Sequence, residues 1–159
     1  MEQQMPSAAR TEAVIRRYAD TVYRLAWAYV RNQADAEDIF QEVFLRYFRS
    51  APQFTNEEHR KAWLLRVTIN RAKSHLQKNR FRPTPAEEVS VPFAAPENME
   101  LHEALSKLPP KYRAVIHLFY FEDCTVEKIG AILQRKPATV RAQLTRARKM
   151  LAAFLQEST

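Results

Sequence analysis

Apolar residues recur at three- and four-residue steps through much of this 159-residue chain, a spacing that predicts amphipathic helices. The first such stretch covers residues 11–49 and breaks from Asn32 to Ala34, so it predicts two helices, with Asp35 as the cap of the second. The repeating apolar positions of the first helix are Val14, Tyr18, Val22, Leu25, Ala26 and Tyr29. Those of the second, which is expected to end before Pro52, are Ile39, Phe40, Val43, Phe44, Tyr47 and Phe48.

A third helix is expected to follow Thr55, because Thr55 and Glu58 have the spacing of a capping box, and to end near Asn79. The next stretch, residues 80–98, contains four prolines and no apolar period, which indicates a linker. We therefore predict an all-α protein with two small helical domains, 1–79 and 99–159, joined by a proline-rich linker at 80–98.

The C-terminal part predicts four further helices. The first covers Met99 to Lys107, and the second starts at Pro109 and Pro110, because proline is tolerated in a first helical turn. Thr125 is the expected cap of the third helix, and Pro137 starts the last one. The last two form a helix-turn-helix. Gly130 is the only glycine of the chain, which argues against a phosphate-binding loop.

The charge of the chain favours an acidic polymer as its partner. The net charge is +7 and the pI about 9.8. The segment from Arg60 to Arg82 has eight Arg or Lys residues, the segment from Arg135 to Lys149 has six, and neither contains an acid. A solvated charged face is the alternative, but such faces usually mix both signs.

On the last helix, 100° steps place Val140, Leu144, Ala147 and Leu151 on one buried stripe. Small and basic residues face the other way, a surface that suits the major groove of DNA. We expect Arg141 and Thr145 to meet bases, and Arg146, Arg148 and Lys149 to meet phosphates. The candidate DNA contacts of this helix are Thr139, Arg141, Ala142, Thr145, Arg146, Arg148 and Lys149.

Catalytic chemistry is not indicated. The four histidines are scattered without ligand spacing, so no metal and no cofactor is predicted, and a recombinase-like enzyme is the least favoured alternative. The single cysteine, Cys124, cannot form an internal disulfide, and no apolar run could span a bilayer. We therefore expect a cytoplasmic protein without membrane insertion.

Four segments of the chain resemble the extracytoplasmic-function sigma factors of bacterial RNA polymerase. In the N-terminal half these are ADAEDIFQEVFLRYF and AWLLRVTINRAKSHL. In the C-terminal part they are LPPKYRAVIHLFYFEDCTVEKIGAIL and ATVRAQLTRARKML. The likeness covers nearly the whole length and keeps the order of the motifs, so it is more specific than a lone helix-turn-helix.

This resemblance implies core RNA polymerase (its β′ clamp helices and β flap) and promoter DNA as partners. Asp38, Gln41 and Glu42 lie where such proteins grip the clamp helices. The segment after Gln53 lies where they capture a flipped base of the −10 element, and the last helix where they bind the −35 element. The candidate −10 contacts are Phe54, Trp63, Arg66, Asn70, Arg71, Lys73 and Lys78, with a place in the core as the alternative for Trp63.

The chain departs from the family in the turn of its helix-turn-helix. Gln134 stands where glycine is common, Arg135 where an apolar residue is usual, and Lys136 where a cap such as serine is common. We therefore expect a less regular turn and cannot infer the promoter sequence. Members of the family are commonly held by an anti-sigma partner, but nothing in the sequence identifies one. A stand-alone helix-turn-helix repressor or activator is the main alternative function.

Overall fold

The computed structural model of the chain describes residues 7–50, 53–78 and 99–157, and all regular secondary structure in these residues is helical. This confirms the all-α prediction. The helices are α1 Ser7–Val30, α2 Gln33–Ser50, α3 Glu57–Lys78, α4 Met99–Ser106, α5 Pro110–Ile116, α6 Val126–Leu133 and α7 Pro137–Glu157. A π-helical turn, His117–Phe121, continues α5. The linker expected at residues 80–98 lies outside the described residues.

Contacts divide the chain into two compact units, Met1–Lys78 and Asn79–Thr159. In the N-terminal unit, helices α1, α2 and α3 all pack against one another. All six apolar positions predicted for α1 are buried. The residues of this core with no or almost no exposed surface include Val22, Leu25, Ile39, Val43, Leu64, Leu65 and Ile69. Burial of such side chains is the main source of stability for so small a bundle.

Asparagine residues cap α2 and α3, so both predicted caps were wrong. The side chain of Asn32 accepts a hydrogen bond from the backbone N–H of Asp35 at 2.9 Å, which places Asp35 inside the first turn. Asn56 accepts from the N–H of His59 at 2.8 Å, so the cap of α3 follows Thr55 by one residue. Asparagine is at least as good a cap as aspartate or threonine, which explains why these positions prevail.

The turn between α1 and α2 depends on Arg31, whose backbone is left-handed with φ 55°. Its N–H donates to the carbonyl of Trp27 at 2.7 Å, and its guanidinium lies 4.0 Å from the centre of the Trp27 ring. Burial lowers the pKa of the Arg31 side chain to about 10. The turn therefore combines hydrogen bonding and cation–π contact, which offset the cost of a positive φ in a residue with a side chain.

In the C-terminal unit, α4, α5 and α6 pack against α7. The Thr125 side chain accepts from the N–H of Lys128 at 3.2 Å, which confirms the predicted cap of α6. Gln134 ends α6 in the left-handed conformation, with φ 57° and ψ 50°, so it takes the backbone shape that glycine favours. A Cβ on Gly130 would lie 2.6 Å from the carbonyl oxygen of Arg135, so the tight turn requires glycine at that position.

Two large aromatic side chains lie largely outside the cores. Phe48 on α2 is 46% exposed and Phe121 at the end of the π-helical turn is 48% exposed. The helical period places Phe48 at the edge of the buried stripe of α2, beyond the last residue that packs on it, Tyr47. Phe121, the last residue of the π-helical turn, stacks on His117, with 5.2 Å between ring centres.

Candidate nucleic-acid interface

Helix α7 separates apolar and basic residues as its sequence predicts. Val140 and Ala147 are fully buried and Leu144 is 2% exposed, while Leu151 is half-buried. These residues anchor the helix on α5 and α6. The candidate DNA contacts all stay exposed on the remaining surface: Thr139, Arg141, Ala142, Thr145, Arg146, Arg148 and Lys149.

The N-terminal half of α7 presents a narrow stripe that contains Arg141 and Thr145. Thr145 lies one turn after Arg141, and its hydroxyl donates to the Arg141 carbonyl oxygen at 3.0 Å. The Arg141 guanidinium extends toward α6, where Nη2 donates to Oε1 of Glu127 at 3.2 Å. Ala138 and Ala142 flank this stripe, so a partner can approach the helix backbone closely. Such a surface can bring donors to base edges in a groove.

Arg148, two turns beyond Arg141, is held by aromatic residues of the π-helical turn. Its Nε donates to the hydroxyl of Tyr120 at 2.6 Å, and its guanidinium carbon lies 5.3 Å from the ring centre of Phe119 and 5.6 Å from that of Tyr120. The cation remains exposed despite these contacts. Arg148 is therefore fixed in place, which reduces the side-chain entropy that a phosphate contact would cost.

The turn before α7 is regular despite the departures from the family pattern, so the expectation of a less regular turn was wrong. Gln134 adopts the left-handed conformation itself, and the N–H of Arg135 donates to the Gly130 carbonyl at 2.9 Å. Nη1 of Arg135 also donates to the side-chain oxygen of Gln143 at 2.8 Å. Arg135 is thus tied to α7, while Lys136 is exposed.

On α3 the predicted basic residues do not share one face. Arg66, Asn70 and Lys73 follow each other at steps of four and three residues, and Trp63 lies one turn before Arg66. Arg71 and Lys78 lie about 120° or more around the helix from Arg66. The Nε of Arg71 is enclosed and has no hydrogen-bond partner among the described residues. We call the group of Trp63, Arg66, Asn70 and Lys73 the α3 stripe.

An aromatic cluster lies at the N-terminal end of the α3 stripe. The rings of Phe54 and Tyr47 are stacked, with centres 6.2 Å apart and planes 12° apart. Trp63 contacts both rings edge-on, at 6.0 Å from Phe54 and 5.8 Å from Tyr47. Phe54 and Trp63 are half-buried, so Trp63 is neither a full core residue nor a free surface residue. The cluster offers ring surface next to cations, the combination that binds unpaired bases.

One cation of this segment belongs to the core instead. Arg60 is 9% exposed and forms an ion pair with Glu57, which also accepts a hydrogen bond from the Tyr18 hydroxyl at 2.7 Å. The Arg60 guanidinium lies 5.3 Å from the centre of the Phe54 ring. Glu57 therefore joins α3 to α1 through Tyr18, and Arg60 binds both Glu57 and the face of the Phe54 ring.

Helix α2 exposes Asp38, Gln41 and Glu42 on one side. Leu45, which lies one turn after Gln41 on the same side, is 47% exposed, and the sequence pattern did not single it out. Nε2 of His75 on α3 lies 3.2 Å from Oε2 of Glu42, and its Nδ1 lies 3.7 Å from Oδ1 of Asp35. An acidic helix face with exposed apolar side chains is typical of a protein-binding surface.

Neither a metal-ion site nor a membrane-spanning helix occurs in the part of the chain that the structure describes. Among residues 7–50, 53–78 and 99–157, no three His, Cys, Asp or Glu side chains are grouped so that they could hold a metal ion. In the same part of the chain, no helix is both long enough and apolar enough to pass through a bilayer.

Two family models match successive parts of the chain. Residues 14–82 match Sigma-70 region 2, and residues 98–151 match Sigma-70, region 4. The RNA polymerase sigma factor SigV of Bacillus subtilis is 32% identical over 156 residues, which cover 95% of this chain and 94% of SigV. The ECF RNA polymerase sigma factor SigE of Mycolicibacterium smegmatis is 34% identical over 157 residues, which cover 91% of this chain but 61% of SigE.

Solved structures share the fold. The sigma factor RpoE of Bartonella quintana, in complex with the anti-sigma factor NepR, matches with a TM-score of 0.77 at 19% identity, covering 91% of this chain and 96% of RpoE. CnrH, in complex with the cytosolic domain of CnrY, matches with a TM-score of 0.74 at 21% identity, covering 99% of this chain and 94% of CnrH.

Proposed function

Because the chain belongs to the extracytoplasmic-function group of sigma-70 factors and directs transcription initiation from specific promoters, we propose how its surfaces divide that task. The predicted N-terminal domain, residues 1–79, binds core RNA polymerase and the −10 element. The C-terminal unit, residues 99–159, binds the −35 element, and residues 80–98 join the two.

The observation that carries this proposal is the segregation on α7. Buried Val140, Leu144 and Ala147 hold the helix from one side, and the other side presents Arg141 and Thr145 between small residues. We assign Arg141 and Thr145, together with Ala142 and Thr139, to the base edges of duplex DNA. We assign Arg146, Arg148 and Lys149 to phosphates, which supply affinity without sequence information.

The α3 stripe and the aromatic cluster form the surface for unpaired DNA. Phe54 and Trp63 offer ring edges and faces to a base, and Asn70 offers an amide that can read its hydrogen-bonding edge. Arg66 and Lys73 follow the sugar-phosphate backbone. Arg71 and Lys78 lie outside this surface, so we assign them no direct contact with the captured base.

The exposed face of α2 binds core polymerase. Asp38 and Gln41 make polar contacts with the β′ clamp helices, and Glu42 is held beside them by His75. Leu45 and Phe48 add apolar surface along the same helix, which would lose contact with water when the complex forms. No catalytic group is needed for this function, because the core enzyme makes the RNA. We place the protein in the cytoplasm with that enzyme.

A transcription experiment tests the proposal directly. The purified chain is mixed with core RNA polymerase and a library of random promoter sequences, and the start regions of the transcripts are sequenced. We expect enrichment of two separated sequence elements and nanomolar affinity for core enzyme. Tight binding to free duplex DNA without affinity for core polymerase would instead support a stand-alone repressor or activator. RpoE forms a complex with the anti-sigma factor NepR. Addition of a candidate anti-sigma protein to the same transcription reaction would test whether such a partner inhibits this chain.

A further inference from the structure

Glu127 is an acidic residue that contacts the basic face of α7. No Asp or Glu occurs from Lys128 to Gln156, yet Oε1 of Glu127 lies 3.2 Å from Nη2 of Arg141, a residue assigned to a base edge. Both side chains are largely exposed, at 66% for Glu127 and 61% for Arg141. A carboxylate so close to the DNA-facing guanidinium is repelled by phosphates, so it lowers general affinity for DNA.

The contact between Glu127 and Arg141 can also orient the Arg141 guanidinium. Arginine has a long flexible side chain and five donors, and it binds phosphate as readily as guanine. Glu127 engages one terminal nitrogen of Arg141 from the first turn of α6 and leaves the other donors of the guanidinium available. A guanidinium held in this way loses less freedom when it meets a base, and the nearby negative charge disfavours its swing toward a phosphate.

The neighbouring cations of α7 lack this arrangement. Arg148 is held by a neutral group, the Tyr120 hydroxyl, so its full charge remains to attract phosphate. Arg146 has no ion pair or hydrogen bond among the described residues. The acidic partner is thus specific to the arginine that lies in the half of α7 nearest the turn.

We propose that Glu127 is a positioning residue that directs Arg141 to one base pair of the −35 element, raising sequence discrimination while lowering general affinity for DNA. The inference rests on the proposed function of α7. Glu127 does not contact the base; it acts through Arg141.

The test uses the full chain with core RNA polymerase and a promoter library randomised across the −35 element. The variants are Glu127→Gln, Arg141→Ala and the double variant, with Glu103→Gln as the control, since Glu103 is an exposed acid on α4 of the same unit. We expect Glu127→Gln to lower discrimination at one base pair about two- to fivefold, the range of an exposed ion pair, while output from poor sequences rises.

Arg141→Ala should remove the preference at that same base pair, and the double variant should match Arg141→Ala there, because Glu127 has nothing left to position. If Glu127→Gln raised transcription equally from all −35 sequences, and by as much as Glu103→Gln does, Glu127 would act by charge alone and the inference would be overturned. Loss of preference at a different base pair, additive with Arg141→Ala, would overturn it too, by making Glu127 a base reader. If the unaltered protein showed no preference in the −35 region, the assignment of α7 would fail first. Thermal unfolding of each variant checks that the exposed substitutions leave the fold intact.

Discussion

Helices α3 and α7 carry the same sign of charge, but their neighbours differ. The cations of α7 alternate with alanine and threonine on a smooth outer face, whereas those of α3 follow a cluster of half-buried aromatic rings. A smooth basic helix fits into a groove of paired DNA, but rings beside cations suit bases that have left the stack. Charge therefore predicts a polyanionic partner, and the residues between the charges predict whether its strands are paired.

The two helices also use arginine differently. Arg60 on α3 is buried and pairs with the half-buried Glu57 of the same helix, while Arg141 on α7 is exposed and pairs with the similarly exposed Glu127. The first pair is part of the fold, because removing one partner leaves a charge enclosed. The second contributes little to stability and is available to a ligand. Burial, which the basic runs in the sequence do not reveal, separates these roles.

The first prediction concerns the recognition of duplex DNA by α7. Replacing both Arg141 and Thr145 with alanine should lower transcription from a promoter with an intact −35 element about 30-fold or more, since two base contacts of roughly 1–3 kcal/mol each are lost. Binding to core polymerase should not change, because these residues lie in the unit that does not carry the α2 face. Reporter transcription and core affinity measure the two properties. An equal loss of core affinity would contradict the division of labour between the units.

The second prediction concerns the capture of unpaired DNA by the aromatic cluster and the α3 stripe. Phe54→Ala should lower the fraction of open promoter complexes about tenfold, because one stacked base contributes roughly 1–3 kcal/mol. The same variant should leave −35 binding unaltered. Permanganate reactivity of unpaired thymines measures the opening. Since Phe54 also packs on Tyr47 and Trp63, Asn70→Ala is the companion variant: Asn70 is exposed, so its loss should reduce opening without lowering the unfolding temperature. Normal opening in both variants would exclude the α3 stripe as the capture surface.

The third prediction concerns binding of the α2 face to core polymerase, independently of DNA. Replacing Asp38 and Gln41 with alanine should weaken core binding about fivefold, a modest loss because both side chains are exposed and the apolar Leu45 and Phe48 remain. Fluorescence anisotropy with labelled protein measures the affinity. Glu12→Ala is a suitable control, because Glu12 is an exposed acid on α1 that pairs only locally with Arg16. Unchanged core affinity in the double variant would refute the contact.

The sequence predicted the helices well because their signals are local. The apolar period located the core of α1, and Thr125 and Pro137 marked the starts of α6 and α7. Its errors have local causes as well. Asn32 and Asn56 cap α2 and α3 in place of the predicted Asp35 and Thr55, and Phe48, at the edge of the apolar stripe of α2, is exposed. Gln134 took a left-handed shape that sequence alone assigns to glycine.

The candidate sites were harder to predict than the fold, because they depend on contacts between helices. Neither the stacking of Phe54 on Tyr47 nor the contact between His75 and Glu42 leaves a periodic signal, since each joins residues of different elements. The sequence pattern indicates only that Glu127 is an acid in the first turn of a helix. Its proposed role depends on its contact with Arg141, which the structure reveals. Leu45 was missed because an exposed leucine on a helix is common.

Two arginines of α3, Arg66 and Arg71, should contribute differently to DNA binding. Arg66 lies on the α3 stripe beside Asn70, whereas Arg71 lies about 140° around the helix with its Nε enclosed. Arg66→Ala should therefore lower promoter affinity about threefold and reduce the salt dependence of binding by about one phosphate contact. Arg71→Ala should leave that dependence unchanged. Measurement of the promoter affinity of the polymerase complex from low to moderate salt gives both the affinity and its salt dependence. Equal salt dependence of promoter affinity in the two variants would mean that α3 attracts DNA by its summed charge. The α3 stripe would then not be a specific DNA-contacting face.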